Sequence, residues 1–189
     1  MKKVSRIITG FYLLLVMVSP VCSSDPGILG LLAPHLRVPY WFDAEGNPLK
    51  DDSKLLDWKG KVIYILCWQS WCPGCHSSGF PTLKKLSSHF NSEPGIQFLS
   101  IQTVFEGHKT NSLDRVPETM AKYGLKVPSG HDPGSKYSSG VPNTMRDYRT
   151  GGTPWVIIIS KSGRVVFNGF NVDPDKAIPA LRRLIEEPL

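Results

Sequence analysis

The 189-residue chain predicts an α/β fold: one domain on a central mixed sheet flanked by helices, with a hairpin extension on its N-terminal side. Three observations lead there. The run "VIYILCW" (62–68) is apolar without a break, as in a strand buried on both faces. A helical pattern starts within a few residues of its end, with Phe80, Leu83, Leu86 and Phe90 on one side. Near the C-terminus two apolar runs around the turn "KSG" lead into an amphipathic segment, which is a hairpin followed by a helix.

Taken in order, "VPYWFDAEGNPLKDD" (38–52) places aromatic residues before "EGNP", a short hairpin. Gly60 and Lys61 turn the chain into the 62–68 strand, and a helix from Cys72 to about Phe90 follows, kinked by Pro81. Residues 95–104, "GIQFLSIQTV", read as a second core strand, and 112–124 as a helix closed by Gly124. The stretch 125–152 is loop-rich, with a short helical turn near Asn143–Tyr148. Strands at 154–160 and 164–170 form the hairpin. The last helix, 173–187, has Asp173 or Asp175 as N-cap and turns Ala177, Ile178, Leu181, Leu184 and Ile185 inward. The order is β–α–β–α–β–β–α, with no internal repeat or inter-domain linker.

Composition narrows the function classes. Hydrophobic content of 41% and charged content of 20% suit a globular domain. The formal charge of +6 includes Lys2, Lys3 and Arg6, and about +3 remains without them. With no basic block interleaved with aromatics, nucleic acid is not an expected partner. Those three cations open an export signal: a basic start, the apolar run 7–18, and the small-residue exit "SPVCSSD". Val21 and Ser23 set cleavage after Ser23. The apolar run falls short of the roughly 20 residues of a spanning helix. Lipid anchoring at Cys22 is disfavoured, because "SPV" is not the lead-in a lipidated cysteine needs. The expected organisation is a signal peptide at 1–23, an extension at 24–35 and the folded domain at 36–187. Its expected location is periplasmic or otherwise extracytoplasmic, where disulfides persist.

Three cysteines then remain: Cys67, Cys72 and Cys75. An odd count fits one pair plus a buried core thiol at Cys67 better than a disulfide framework. Cys72–Pro73–Gly74–Cys75 could belong to zinc, haem or redox chemistry. Zinc needs four ligands and there is no second Cys-x-x-Cys. His76 completes a haem-attachment pattern, but the strand running straight into the motif leaves no open helical pocket. No metal or cofactor is expected. In the redox reading the strand delivers Cys72 to the edge of the sheet, where helix N–H groups and the helix dipole favour a thiolate. Pro73 suits the first helical turn. Cys75, one turn on, is the more buried, resolving thiol.

"GKVIYILCWQSWCPGC", the Pro81 position, "GGTPWVIIISKSGRVV" and the terminal helix together resemble the thioredoxin superfamily, in particular its exported TlpA/ResA-like thiol–disulfide oxidoreductases. The likeness runs over residues 36–187. It implies a thioredoxin-like domain, with Cys72 and Cys75 catalytic and Pro154 cis beside them. It also implies a Thr153 backbone free to pair with a substrate chain, and partners that are protein disulfides or thiols. A reductant role fed by a membrane electron donor follows from the same resemblance. Trp71 and Trp155, next to the nucleophile and the proline, are expected to line the substrate surface.

This chain departs from that pattern in places. Leu66 stands where thioredoxins carry a buried acid, and "HSSGF" (76–80) has no acid where ResA-like members place a Glu. Glu106, after the neighbouring strand, is the leading candidate for taking the Cys75 proton, with His76, His108 and His131 behind it. The spacing from Cys75 to Pro81 is one residue longer than usual. Two other functions use this fold. A peroxiredoxin-like peroxidase would need a Thr three residues before its cysteine, where this chain has Gln69; a non-catalytic binding module would use only the groove.

Overall fold

The computed structural model describes residues 27–52, 57, 59–134 and 140–188. The export segment, the cleavage point after Ser23, and Cys22 lie outside the described residues. The sheet has seven strands: β1 (Tyr40–Phe42), β2 (Pro48–Leu49), β3 (Val62–Trp68), β4 (Ile96–Thr103), β5 (Ser129–Asp132), β6 (Trp155–Ile159) and β7 (Val165–Phe170). Their spatial order is β2-β1-β5-β4-β3-β6-β7. β3, β4 and β5 pair in parallel, while the pairings β3–β6 and β6–β7 on one side, and β5–β1 and β1–β2 on the other, are antiparallel. The mixed sheet and its N-terminal hairpin are those read from the sequence.

β3 lies at the centre, and all seven of its residues are buried. Its alternation splits the core in two. Val62, Tyr64, Leu66 and Trp68 face a layer formed by α1 (Phe80–His89), α2 (Arg115–Tyr123) and α4 (Pro174–Glu186). Ile63, Ile65 and Cys67 face the other side, where Ile28, Leu36, Val38 and Trp41 meet Tyr148 of α3 (Asn143–Tyr148). Cys67 is thus a core thiol, as expected. The N-terminal extension is part of this second layer and runs beside β7, with a bridge between Leu32 and Arg164.

The helix ends follow their sequence signals. Gly124 caps α2 in the left-handed conformation at φ 58°. The Asp173 carboxylate accepts the Asp175 N–H at 2.9 Å to open α4.

Two features correct the sequence reading. The stretch predicted as loop contains β5, the four-residue strand "SGHD", wholly buried between β1 and β4. Its polar groups are answered across the sheet and from α3: the Ser129 and Ser100 hydroxyls meet at 2.6 Å, and the Asp132 carboxylate accepts from Thr144 N at 2.7 Å and Thr144 Oγ1 at 2.8 Å. The helix after the Cys motif is also not a simple α-helix kinked at Pro81. Residues Cys75–Gly79 form a π turn, closed by the Phe80 N–H donating to the Cys75 carbonyl five residues back. The extra residue between Cys75 and Pro81 is absorbed there, just before the proline that has no N–H to give.

Candidate active site

The motif sits where β3 ends and the helix begins. Gln69, Ser70 and Trp71 leave the strand, and Pro73 and Gly74 are already helical. Both thiols are free. Cys72 is 4% exposed and Cys75 fully buried, so only Cys72 reaches the surface. The Cys75 N–H points at the Cys72 sulfur at 3.2 Å and at its carbonyl at 3.1 Å. A sulfur held at the start of a helix beside a backbone donor is placed to carry negative charge. Burial pushes the Cys75 thiol well above the usual cysteine range, and the Cys72 sulfur beside it adds to the rise. Hydrogen bonds from the Gln69 backbone and the Thr153 hydroxyl act the other way. Burial also raises the Cys67 thiol, with Asp132 and Cys75 contributing.

Thr153–Pro154 is cis. The Pro154 ring packs on the helix opening. Its Cδ lies 3.0 Å from where a side chain on Gly74 would begin, and its Cβ 3.2 Å from the equivalent point on Gly79. Any larger residue at 74 or 79 would press on the proline. The structure therefore brings Cys72, Cys75, Thr153 and Pro154 together.

Trp71 is 47% exposed next to Cys72, and its indole N–H donates to Gln69 Oε1 at 2.8 Å, which fixes the ring. Trp155 departs from expectation. It is only 2% exposed because its side chain points into the second core layer, where Nε1 donates to Asn168 Oδ1. What it presents to the surface is Phe170, which rests on it edge-to-face at 4.6 Å. Glu106 is exposed, and its backbone carbonyl accepts from Asn111 Nδ2 at 3.1 Å. Among the described residues, the groups acting on the Cys75 thiol include no carboxylate.

Beneath the motif lies a polar network that single-sequence reasoning did not reach. Asn111 Oδ1 accepts from Ser70 N at 2.7 Å, and its Nδ2 donates to Gln69 Oε1 at 3.0 Å. Gln102 Nε2 donates to Ser70 Oγ at 2.8 Å, and its Oε1 accepts from His131 Nδ1 at 2.7 Å. Burial lowers the His131 pKa below the usual histidine value, with Asp132 opposing and His108 reinforcing the shift. His76 is spanned on both sides: Nε2 donates to the Ser70 carbonyl and the Tyr123 hydroxyl meets Nδ1, each at 2.6 Å. These bonds pin the helix opening to the end of β3. Apart from the His76–Ser70 bond, they join residues 29 or more positions apart in sequence, so no local pattern announces them.

Residues 44–185 match the Redoxin family. Among curated proteins, the chain is 28% identical over 138 residues to the thiol-disulfide oxidoreductase ResA of Bacillus thuringiensis, covering 73% of this chain and 67% of that protein. A crystal structure of a thioredoxin-like superfamily protein superposes with a TM-score of 0.71 at 31% identity, covering 84% of this chain and 98% of the other. A thiol-disulfide isomerase from Corynebacterium glutamicum gives a TM-score of 0.70 at 28% identity, over 82% and 98%. With the dithiol at a helix opening, a proline against it and these relatives, the chain belongs to the Redoxin family, as a TlpA/ResA-like oxidoreductase of the thioredoxin superfamily.

Proposed function

We propose that the chain exchanges disulfides with protein substrates through Cys72 and Cys75. The observation that carries this is the Cys75 N–H directed at the Cys72 sulfur, with Cys72 alone of the pair reaching the surface. The Cys72 thiolate attacks one sulfur of a substrate disulfide and the other leaves as a thiolate, giving a mixed disulfide. Cys75 loses its proton, its sulfur attacks Cys72 Sγ, and the second substrate thiolate leaves. The protein ends with a Cys72–Cys75 disulfide and the substrate with two thiols, one taking up the proton lost by Cys75 and the other, from water, the proton that Cys72 released on ionising. The Thr153 hydroxyl is placed to donate to Cys75 as its charge develops. The Thr153 backbone pairs with the incoming chain, and the fixed Trp71 ring lines its path. A dithiol-driven insulin reduction assay tests this: turnover is expected, with peroxide consumption at background. Peroxide consumption without insulin reduction would instead favour the peroxidase alternative.

The chain works as an exported reductant, in the periplasm or its equivalent, recharged by a membrane electron donor. The basic and apolar character of residues 1–18 supports export. The ResA likeness supports the reductant role. Equilibration with a thiol–disulfide redox buffer series measures the direction: a potential near about −270 mV fits a reductant, whereas one near about −120 mV makes the protein an oxidant.

A further inference from the structure

Phe170 closes β7 directly opposite Trp155, the residue after Pro154. It is 58% exposed, yet it is not loose. Its ring sits edge-to-face on Trp155, and Trp155 is anchored through Asn168, whose Nδ2 donates to the Tyr148 carbonyl at 2.9 Å. On its other side the ring lies 3.5 Å from where a side chain on Gly152 would begin. Gly152 has φ +147°, which disfavours a side chain, so none stands against the ring on the residue before Thr153. Next to it, Ser78 Oγ donates to Asn171 Oδ1, so the neighbouring polar pair is uncharged.

A large aromatic ring held rigid and left in water gains the fold little, whereas such rings are the usual anchors of binding surfaces. Phe170 ends β7, on the β6 side of β3, whereas Trp71 Nε1 faces Gly107 after β4 on the other side. The Phe170 ring is next to Gly152, which leads into the Thr153 backbone that an incoming chain would meet. We infer that Phe170 is a specificity-determining residue, receiving an aliphatic or aromatic side chain within two residues of the substrate's attacked cysteine. This rests on the proposed exchange reaction. A charged residue at that substrate position loses its hydration against the ring and meets no counter-charge in the Ser78–Asn171 pair.

The test uses two synthetic peptide disulfides that differ only in the residues flanking cysteine, leucine in one and serine in the other, plus hydroxyethyl disulfide. The unsubstituted protein should favour the leucine peptide by about tenfold in kcat/KM, expressed mainly in KM. Phe170→Ser should bring that ratio to within about twofold, and Phe170→Leu should keep most of it. No preference in the unsubstituted protein, or a Phe170→Ser protein that loses rate equally on both peptides, overturns the assignment. No turnover of hydroxyethyl disulfide by the unsubstituted protein would overturn the exchange reaction itself, and the role of Phe170 with it.

Discussion

The Pro154 ring lies against Gly79, its Cβ 3.2 Å from the point where a side chain would begin, with Leu66 Cδ1 3.4 Å away on the core side. Gly79→Ala therefore puts a methyl group between two packed groups. Overpacking of this kind costs about 1–3 kcal/mol, and the better helix propensity of alanine returns up to about 1. We expect net destabilisation of about 1 kcal/mol, read as a lowered denaturation midpoint with an unchanged slope. A midpoint equal to that of the unsubstituted protein would mean the Pro154 contact yields without cost.

Asp132 is a fully buried carboxylate that holds the start of α3 through Thr144 N and Oγ1. Asp132→Ala leaves those donors unanswered inside the protein. A loss of about 3 kcal/mol is expected in chemical denaturation, with a smaller loss for Asp132→Asn, which keeps one acceptor oxygen. Equal effects of the two substitutions would show that charge, rather than hydrogen bonding, is what matters there.

His131 carries a pH signature. Burial depresses its folded-state pKa, so near pH 6.5 and below, the unfolded chain binds the proton more readily than the folded one. Its contribution to stability is present above about pH 6.5 and is lost as pH falls toward the depressed folded value. Unfolding midpoints measured from pH 7.5 to 5 should decline, and His131→Gln should flatten part of that decline. An identical pH profile in the variant would remove His131 as its source.

The raised thiol of Cys75 predicts the pH dependence of resolution. Below its pKa the attacking thiolate is scarce and increases with pH, so the release of a preformed mixed disulfide at Cys72 should accelerate across pH 7 to 9. Stopped-flow measurement of that single step checks it. A rate flat in pH would indicate that proton loss from Cys75 does not limit resolution.

How far the sequence revealed the site depended on the kind of signal. β3 was legible because seven apolar residues in a row demand burial on both faces, and the cysteine pair because a strand running into a helix gives Cys-x-x-Cys a meaning. β5 was not: "SGHD" has no apolar periodicity, and its burial depends on Val38 and Trp41 covering Gly130 and on a serine partner in β4. The π turn left a trace, one residue too many before Pro81, but spacing alone could not say how the helix would absorb it. Trp155, expected to line the substrate surface, is covered, and its strand neighbour Phe170 is left exposed. Both are aromatic residues at strand ends, and only the pairing of β6 with β7 decides which is covered. Gln69, Asn111 and Gln102 are ordinary polar residues until folding brings them together.

The division of labour between Cys72 and Cys75 is the centre of the account, and trapping tests it most directly. Cys72→Ser and Cys75→Ser proteins, reduced and then incubated with a protein disulfide substrate, are resolved by non-reducing electrophoresis and mass spectrometry. The account predicts a mixed disulfide through Cys72 that accumulates in Cys75→Ser, and neither adduct nor turnover in Cys72→Ser. An adduct through Cys75 in the Cys72→Ser protein, with none in Cys75→Ser, would contradict it.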